Sequence, residues 1–387
     1  MSLFLEFHLI QNFAPSNLNR DDTGAPKDAI FGGQRRARIS SQCQKKSVRD
    51  FFKSSDLVSS DNLGVRTRHL DRVLVDELKA AGLQDPSVFN EIVKQALKAK
   101  KGKEDKREDE KDESPQSVLS YLLFISATEI ESLKQLVSSH QDELVALAAK
   151  KKIKNTDISE GFRSGLKVVL ARSKAVDVAL FGRMLADLPA VNQDAACQVA
   201  HAISTHRVER EFDYFTAVDD KGDADETGAG MIGQVEFNSA TLYRYAVLDL
   251  RKLQANLQGD LELTLSAVEA FTRALALAIP SGKQNSFAAH NPPEFAGLCL
   301  RHATPLSLAN AFEKPVTPRA DQALTEQSVE RLAAYEGKLA AVYGAAQDQW
   351  LSLDLTGRWP AERGETVANL ATLAQRAREL AAGALGA

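Results

Sequence analysis

Residues 31 to 49 read Phe-Gly-Gly-Gln-Arg-Arg-Ala-Arg-Ile-Ser-Ser-Gln-Cys-Gln-Lys-Lys-Ser-Val-Arg. They hold Arg35, Arg36, Arg38, Lys45, Lys46 and Arg49 with no acid before Asp50, in a chain whose formal net charge is −4. Ser40 or Ser41 is a good N-cap, and the residues after it predict a helix reaching Phe51 or Phe52. On that helix Gln42, Lys45 or Lys46, and Arg49 share one face, because residues three and four apart are neighbours. Cations in the first turns oppose the helix dipole, whereas helix N-termini favour phosphate. Two readings follow, a solvated basic face or a surface for a polyanion. The predominance of Arg in its first half, suited to forked phosphate contacts, and the lack of interleaved acids favour the polyanion.

The rest of the chain bounds that reading. With 387 residues, 44% hydrophobic and 26% charged, it can bury a core as one large or two coupled domains. No apolar run reaches the length of a membrane span, and the N-terminus lacks a basic-then-apolar leader. Cys43, Cys197 and Cys299 are odd in number and far apart, which predicts reduced thiols, no zinc site and a cytoplasmic location. At a pI near 6.0, nucleic-acid binding has to be local.

Working outward from the basic stretch, Leu3 to Ile10 predicts a strand with Leu3, Leu5, Phe7 and Leu9 on one face and a structural His8 on the other. A loop rich in turn formers, Asn17 to Asp28, joins it to the basic stretch. Helices are expected over Arg66–Lys79, closed by Gly82, then Val88–Leu97, Thr128–Lys152 and Gly161–Ser173. Lys98 to Glu113 is a charged loop, and Ser117 to Ile125 fits either strand or helix. Lys150, Lys151, Lys152 and Lys154 suit a helix C-terminus, with a secondary nucleic-acid contact as the alternative. Ala175–Met184 reads as a strand ending in a Gly turn, and Asp194–Thr205 as an ordered apolar segment. Glu211–Val218 and Met231–Phe237 form a long hairpin around the acidic turn Asp219–Glu226. Ala240–Leu250 is a strand, Leu261–Ile279 a helix stopped by Pro280, and Phe295–Arg301 a short strand. Helices near Gln327–Gln347 and Val367–Leu385 complete the chain. With the helical insertion and the hairpin removed, the order is β-α-β-β-α-β, the ferredoxin-like split arrangement of RNA-recognition domains. Their aromatic signature is missing, so the charge on the first helix and loops, not base stacking on the sheet, is expected to engage RNA.

Several motifs point elsewhere. Gly228-Ala-Gly-Met-Ile-Gly233 matches G-x-G-x-x-G, but it lies between an acidic turn and a strand rather than a strand and a helix. Asp223 to Gly228 resembles the start of a calcium loop, with Gln234 where the closing Glu should be. Gly282-Lys283 lacks the upstream Gly of a P-loop, yet Lys283, Gln284 and Asn285 are all donors for an anion. Asp21, Asp22 and Asp28 could hold Mg²⁺ beside Arg20 for phosphoryl transfer, or pair with Arg35 or Arg36.

Asn19-Arg20-Asp21-Asp22, Lys27-Asp-Ala-Ile-Phe-Gly-Gly33, Arg35-Arg36, Arg38-Ile-Ser-Ser-Gln42 and Lys45 resemble the backbone subunit of Cascade, the type I-E CRISPR surveillance complex (the CasC family). Arg66-Thr67, Gly182-Arg-Met184, Ala200-His-Ala-Ile203, Phe215-Thr-Ala-Val-Asp-Asp220, Tyr243-Arg-Tyr-Ala246 and Ala309-Asn-Ala-Phe-Glu-Lys314 continue the resemblance in the same order. It implies an α+β protein with a modified ferredoxin-like palm (1–58, 173–205 and 240–310), inserted helical fingers (59–172), a β-hairpin thumb (206–239) and a C-terminal helical region (311–387). Several copies would line up along one guide RNA with other Cascade subunits and present it to target DNA, without a cofactor, a metal or a membrane. The family's backbone subunit is not the nuclease; distant relatives that cleave RNA from a loop Asp make a metal-dependent ribonuclease using Asp21 or Asp22 the alternative. By resemblance Asn19, Arg20, Gln42, Lys45, Lys46 and Arg49 would grip RNA. Met184 would wedge against bases, and Phe215, Thr216 and Ile232 would belong to the thumb. Gln34 stands where that family often has a base.

Overall fold

The alternation that opens the chain becomes a strand longer than expected. In the computed structural model, which describes residues 3–97, 119, 122–171, 173–184, 192–217, 231–344 and 347–386, β1 runs Phe4–Ser16. It is followed by β2 (Asp28–Phe31), β3 (Gln34–Ile39), β4 (Gly64–Thr67), β5 (Leu123–Ser126), β6 (Cys197–Val199) and β7 (Ala202–Ser204). Then come β8 (Glu211–Ala217), β9 (Met231–Asp249), β10 (Phe295–Arg301), β11 (Gln349–Asp354) and β12 (Glu365–Thr366). Contacts divide the chain into one unit of Met1–Leu57, Cys197–Arg251 and Leu265–Ala387, and another of Val58–Ala196 and Lys252–Thr264. Residues 173–196, expected with the palm, therefore group with the helical insertion.

The first unit is built on a sheet ordered β12-β11-β10-β1-β9-β7-β3-β2, with β6 and β8 also pairing with β9. β1 lies antiparallel between β10 (Phe4↔Arg301 to Ile10↔Phe295) and β9 (Phe4↔Asp249 onward). Both faces of β1 are buried, not one. Phe7 meets Phe271 of the helix Leu261–Leu277 edge-on, with ring centroids 5.1 Å apart. On the other face Ile10, Tyr243 and Phe295 pack with Phe312, Trp350 and, from the helix Leu324–Tyr343, Val329 and Leu332. His8 is structural as expected, its Nδ1 2.9 Å from the Tyr243 hydroxyl. β11 and β12 extend the sheet from a region expected to be only helical.

The second unit holds the antiparallel pair β4–β5 and a helical core of Leu70, Leu74, Leu78, Phe89, Ile92 and Phe162 among others. Three expectations change here. Arg66–Thr67 belongs to β4, and the single helix read beyond it is two short ones, Leu70–Val73 and Val75–Ala80. The helix read over Thr128–Lys152 breaks at His140 into Ala127–Ser139 and Gln141–Ala148, and Lys150 instead pairs with Asp157 at 2.9 Å. The strand read over Ala175–Met184 is the helix Val176–Phe181, ended by Gly182 at φ +79°. It is apolar on nearly every side and buried from Val176 to Leu180, so neither periodicity marks it, and Asp177 accepts a hydrogen bond from the Gly64 amide at 2.8 Å. The charged loop at 98–113 and the acidic turn at 219–226, with the calcium-like stretch and Gly228 to Gly230, lie outside the described residues.

Candidate nucleic-acid interface

Gly32 and Gly33 take φ of +57° and +73°, which closes β2 and β3 into a hairpin. Ser40 then caps the helix α1 (Ser41–Ser54), its hydroxyl accepting from the Cys43 amide, while Asn19 Oδ1 accepts from the Ser40 amide at 2.9 Å. This fixes the 17–28 loop against the start of α1. The inward face of α1 is Gln44, Val48, Arg49 and Phe52, and its outward row is Gln42, Lys46 and Asp50.

The basic stretch is therefore not one surface. Arg36 is wholly buried, donating to the carbonyls of Ser204 (2.8 Å), Phe312 (2.8 Å) and Glu313 (3.1 Å), so it is removed from the candidate contacts. Burial also lowers its pKa. Arg49 is removed on the same ground, being turned inward and buried. Arg35 is half-exposed but paired with Asp28. Arg38 donates from Nε to the Asp28 carbonyl at 3.0 Å and lies 2.9 Å from His201 Nδ1. Lys46 pairs with Asp50 at 2.5 Å, and Lys45 is half-buried.

What the fold does bring together is a cleft of about 690 Å³. Its walls are the loop carrying Asn19 and Arg20 with Asp21 and Asp22, the outer face of α1 with Lys46, Ser47 and Asp50, and the turn Ala278–Gly282. Gly282 is required there, since a Cβ would stand 2.4 Å from the Leu18 carbonyl oxygen. That packing sets Lys283, in the left-handed region at φ +51°, beside the same loop. Asp21 is held in its own turn: Oδ1 accepts from the Thr23 amide (3.0 Å), the Thr23 hydroxyl (2.7 Å) and the Ala25 amide (3.0 Å). The Thr23 hydroxyl leads in holding this carboxyl below the usual range. Among the described residues no group of three or more His, Cys, Asp or Glu side chains could hold a metal ion.

The hairpin expected at 211–237 is present, β8 pairing with β9 from Glu211↔Phe237 to Ala217↔Met231. Phe215 and Thr216 are exposed on it, and Ile232 stands opposite Thr216 in the ladder; the Ile232 side chain lies outside the described residues. The Phe215 ring covers Gly233, where a Cβ would lie 2.2 Å from it. Phe212 and Tyr214, which the motif reading passed over, are 54% and 69% exposed and alternate with Asp213 and Phe215. Met184 is 81% exposed in the other unit. Two residues were also missed: His201 beside Arg38, and Arg210, which reaches Asp28, the partner of Arg35, at 2.9 Å and Glu236 at 3.2 Å.

Chains of CRISPR RNA-guided surveillance complexes share this fold. A chain of such a complex in a pre-nicking state is 31% identical, with a TM-score of 0.80 over 98% of this chain and 100% of that one. A chain of a second is 26% identical, with a TM-score of 0.71 over 97% and 99%. The chain belongs to the CT1975-like protein family of Cas proteins, whose model matches residues 5–377. The resemblance drawn from the motifs between Asn19 and Lys314 agrees with that assignment. No curated protein sequence matches the chain. No helix of the described residues is long and apolar enough to cross a membrane.

Proposed function

We propose that this protein is the RNA-binding backbone subunit of a Cascade-type surveillance complex, repeated along a guide RNA that it presents to target DNA alongside other subunits in the cytoplasm. The observation that carries the proposal is the cleft between the Arg20 loop, the outer face of α1 and the Ala278–Gly282 turn, in a chain similar over nearly its whole length to one of a surveillance complex. Asn19, Arg20, Arg38, Gln42, Lys45, Lys46 and Lys283 are the contacts that remain, with Arg35 available once Asp28 releases it. Phosphate contacts of this kind hold a strand without reading it, and base pairing by the guide supplies specificity. The strand order β10-β1-β9-β7, with α1 after β1 and the helix Leu261–Leu277 between β9 and β10, supports a modified ferredoxin-like palm. The β8–β9 arm would be the thumb, and the unit containing Met184 the fingers.

The subunit holds the strand and does not cut it. Asp21 spends one carboxylate oxygen on three hydrogen bonds of its own turn, which gives no support to a metal-dependent ribonuclease at Asp21 and Asp22. Complementary RNA incubated with the assembled complex and Mg²⁺ should stay intact; cleavage lost in Asp22→Ala would overturn this. For the binding role, Arg20→Glu with Lys46→Glu should strip most guide RNA from the purified complex, read from its 260/280 nm absorbance ratio. Full retention would sink the proposal.

A further inference from the structure

The root of the β8–β9 arm is tied to the basic hairpin by groups far apart in sequence. Arg210, the residue before β8, donates from one guanidinium nitrogen to Asp28 Oδ2 at 2.9 Å and from another to Glu236 on β9 at 3.2 Å. The same Asp28 oxygen also takes Arg35 of β3. Beside them Asn17, fully buried, donates to the Gly24 carbonyl and to the Glu236 carbonyl, both at 2.9 Å. A single carboxylate thus serves two arginines, one half-exposed on the basic hairpin and one at the root of the arm. Arg210, Asp28 and Glu236 are about three-quarters buried, so charge-assisted bonds among them are worth more than exposed pairs. Burial, which pulls the Arg210 guanidinium down, is outweighed by Asp28 and Glu236, which hold it charged.

We infer that Asp28 and Arg210 form a latch that couples the arm's orientation to occupancy of Arg35 by a nucleic-acid phosphate. A phosphate that takes Arg35 leaves the whole of the Asp28 carboxylate to Arg210, and the arm root tightens. By reciprocity, sharing Asp28 with Arg210 weakens its hold on Arg35 and makes Arg35 easier for a strand to capture. Arg210 is here a positioning residue. The RNA half of the inference rests on the reading under Proposed function; the latch itself does not.

Hydrogen–deuterium exchange of the full chain, with and without a single-stranded RNA, tests both halves. In RNA-free protein, Arg210→Met or Asp28→Asn should speed exchange across β8 about tenfold, the order expected for losing a charge-assisted bond. The double variant should be no faster than Arg210→Met alone, and β10 should stay unchanged as the control for folding. If β10 also loosens in Arg210→Met, Arg210→Lys, which keeps the charge but one contact only, should give an intermediate rate in β8 alone. RNA should slow β8 further in the unaltered protein and not in Arg210→Met, although fluorescence anisotropy still reports binding, about threefold weaker. Additive single variants, unchanged β8 exchange, or equal slowing by RNA in both proteins would overturn the latch. Absence of any RNA binding would instead sink the functional reading, with the RNA-free comparison still deciding the latch.

Discussion

At the scale of single residues, consecutive cations in this chain do opposite jobs. Arg36 places a buried guanidinium among three backbone carbonyls, whereas Arg20 is exposed at the cleft. Arg36→Met should therefore destabilise the fold by roughly 3 kcal/mol or more, by leaving those carbonyls unpaired. Arg20→Met should change stability by less than about 0.5 kcal/mol while weakening RNA binding. Urea unfolding and filter binding on the same two variants separate the roles. His206 gives a pH dependence. Its Nδ1 lies 2.8 Å from the Arg207 carbonyl and its Nε2 accepts from the Thr241 amide at 3.1 Å, an arrangement that only the neutral ring can make. Burial first, and Arg36 as well, lower its pKa against the opposing Arg207 bond. The unfolded chain consequently takes up this proton at a higher pH than the folded one. The stabilisation is complete above the unfolded value near 6.5 and is lost as pH falls through the depressed folded value. The urea midpoint should drop between pH 7.5 and pH 5.5, and His206→Gln should flatten part of that drop. His201, lowered by burial and then by Arg38 and Lys27, contributes the exposed remainder.

At the scale of elements, the parts written in local chemistry were legible and the parts written in long-range pairing were not. The N-cap Ser40, the helix Val88–Leu97 and the strand Phe295–Arg301 follow from caps and periodicity and appear where expected. The helix Val176–Phe181 was misread because a short segment buried on all sides has no period to read. The hairpin of β2 and β3 was hidden because arginines mask a strand's alternation, and its Arg36 turns inward to acceptors that lie 168 and 276 residues away. Nothing in a local window signals Arg210 either, 182 residues from Asp28. The basic site was thus legible as a place but not as a list of exposed side chains. The hairpin tip offers a contrast between neighbours. A Cβ on Gly32 would lie 1.8 Å from the Glu313 carbonyl oxygen, whereas one on Gly33 would meet nothing within 4 Å. Gly32→Ala should cost roughly 2–4 kcal/mol, combining positive-φ strain with a backbone clash. Gly33→Ala should cost only about 1–2 kcal/mol from φ alone. Thermal or urea unfolding of the two should rank them in that order.

At the scale of the whole molecule, an acidic chain that holds RNA has to do so through a confined field. With a net charge of −4, the chain as a whole repels a polyanion, so binding depends on the few cations that the fold leaves at the cleft and beside it. Five of these are Arg20, Arg38, Lys45, Lys46 and Lys283. Each phosphate neutralised on a single strand contributes about −0.7 to the log–log salt slope, so five engaged contacts give about −3.5. Raising salt from 50 to 200 mM should then weaken binding about a hundredfold. Lys46 has a dual part, because Asp50 holds it in the free protein and must be displaced by phosphate. Asp50→Asn should accordingly strengthen binding at every salt concentration while keeping the slope, since the number of phosphates engaged does not change. Lys46→Gln should make the slope shallower by about 0.7. A salt titration of the isolated chain against single-stranded RNA by fluorescence anisotropy, run on these two variants and the unaltered protein, reads both quantities. A slope near zero would mean that the strand is held by stacking on the arm's Phe212, Tyr214 and Phe215, and that the cleft at α1 is not where RNA binds.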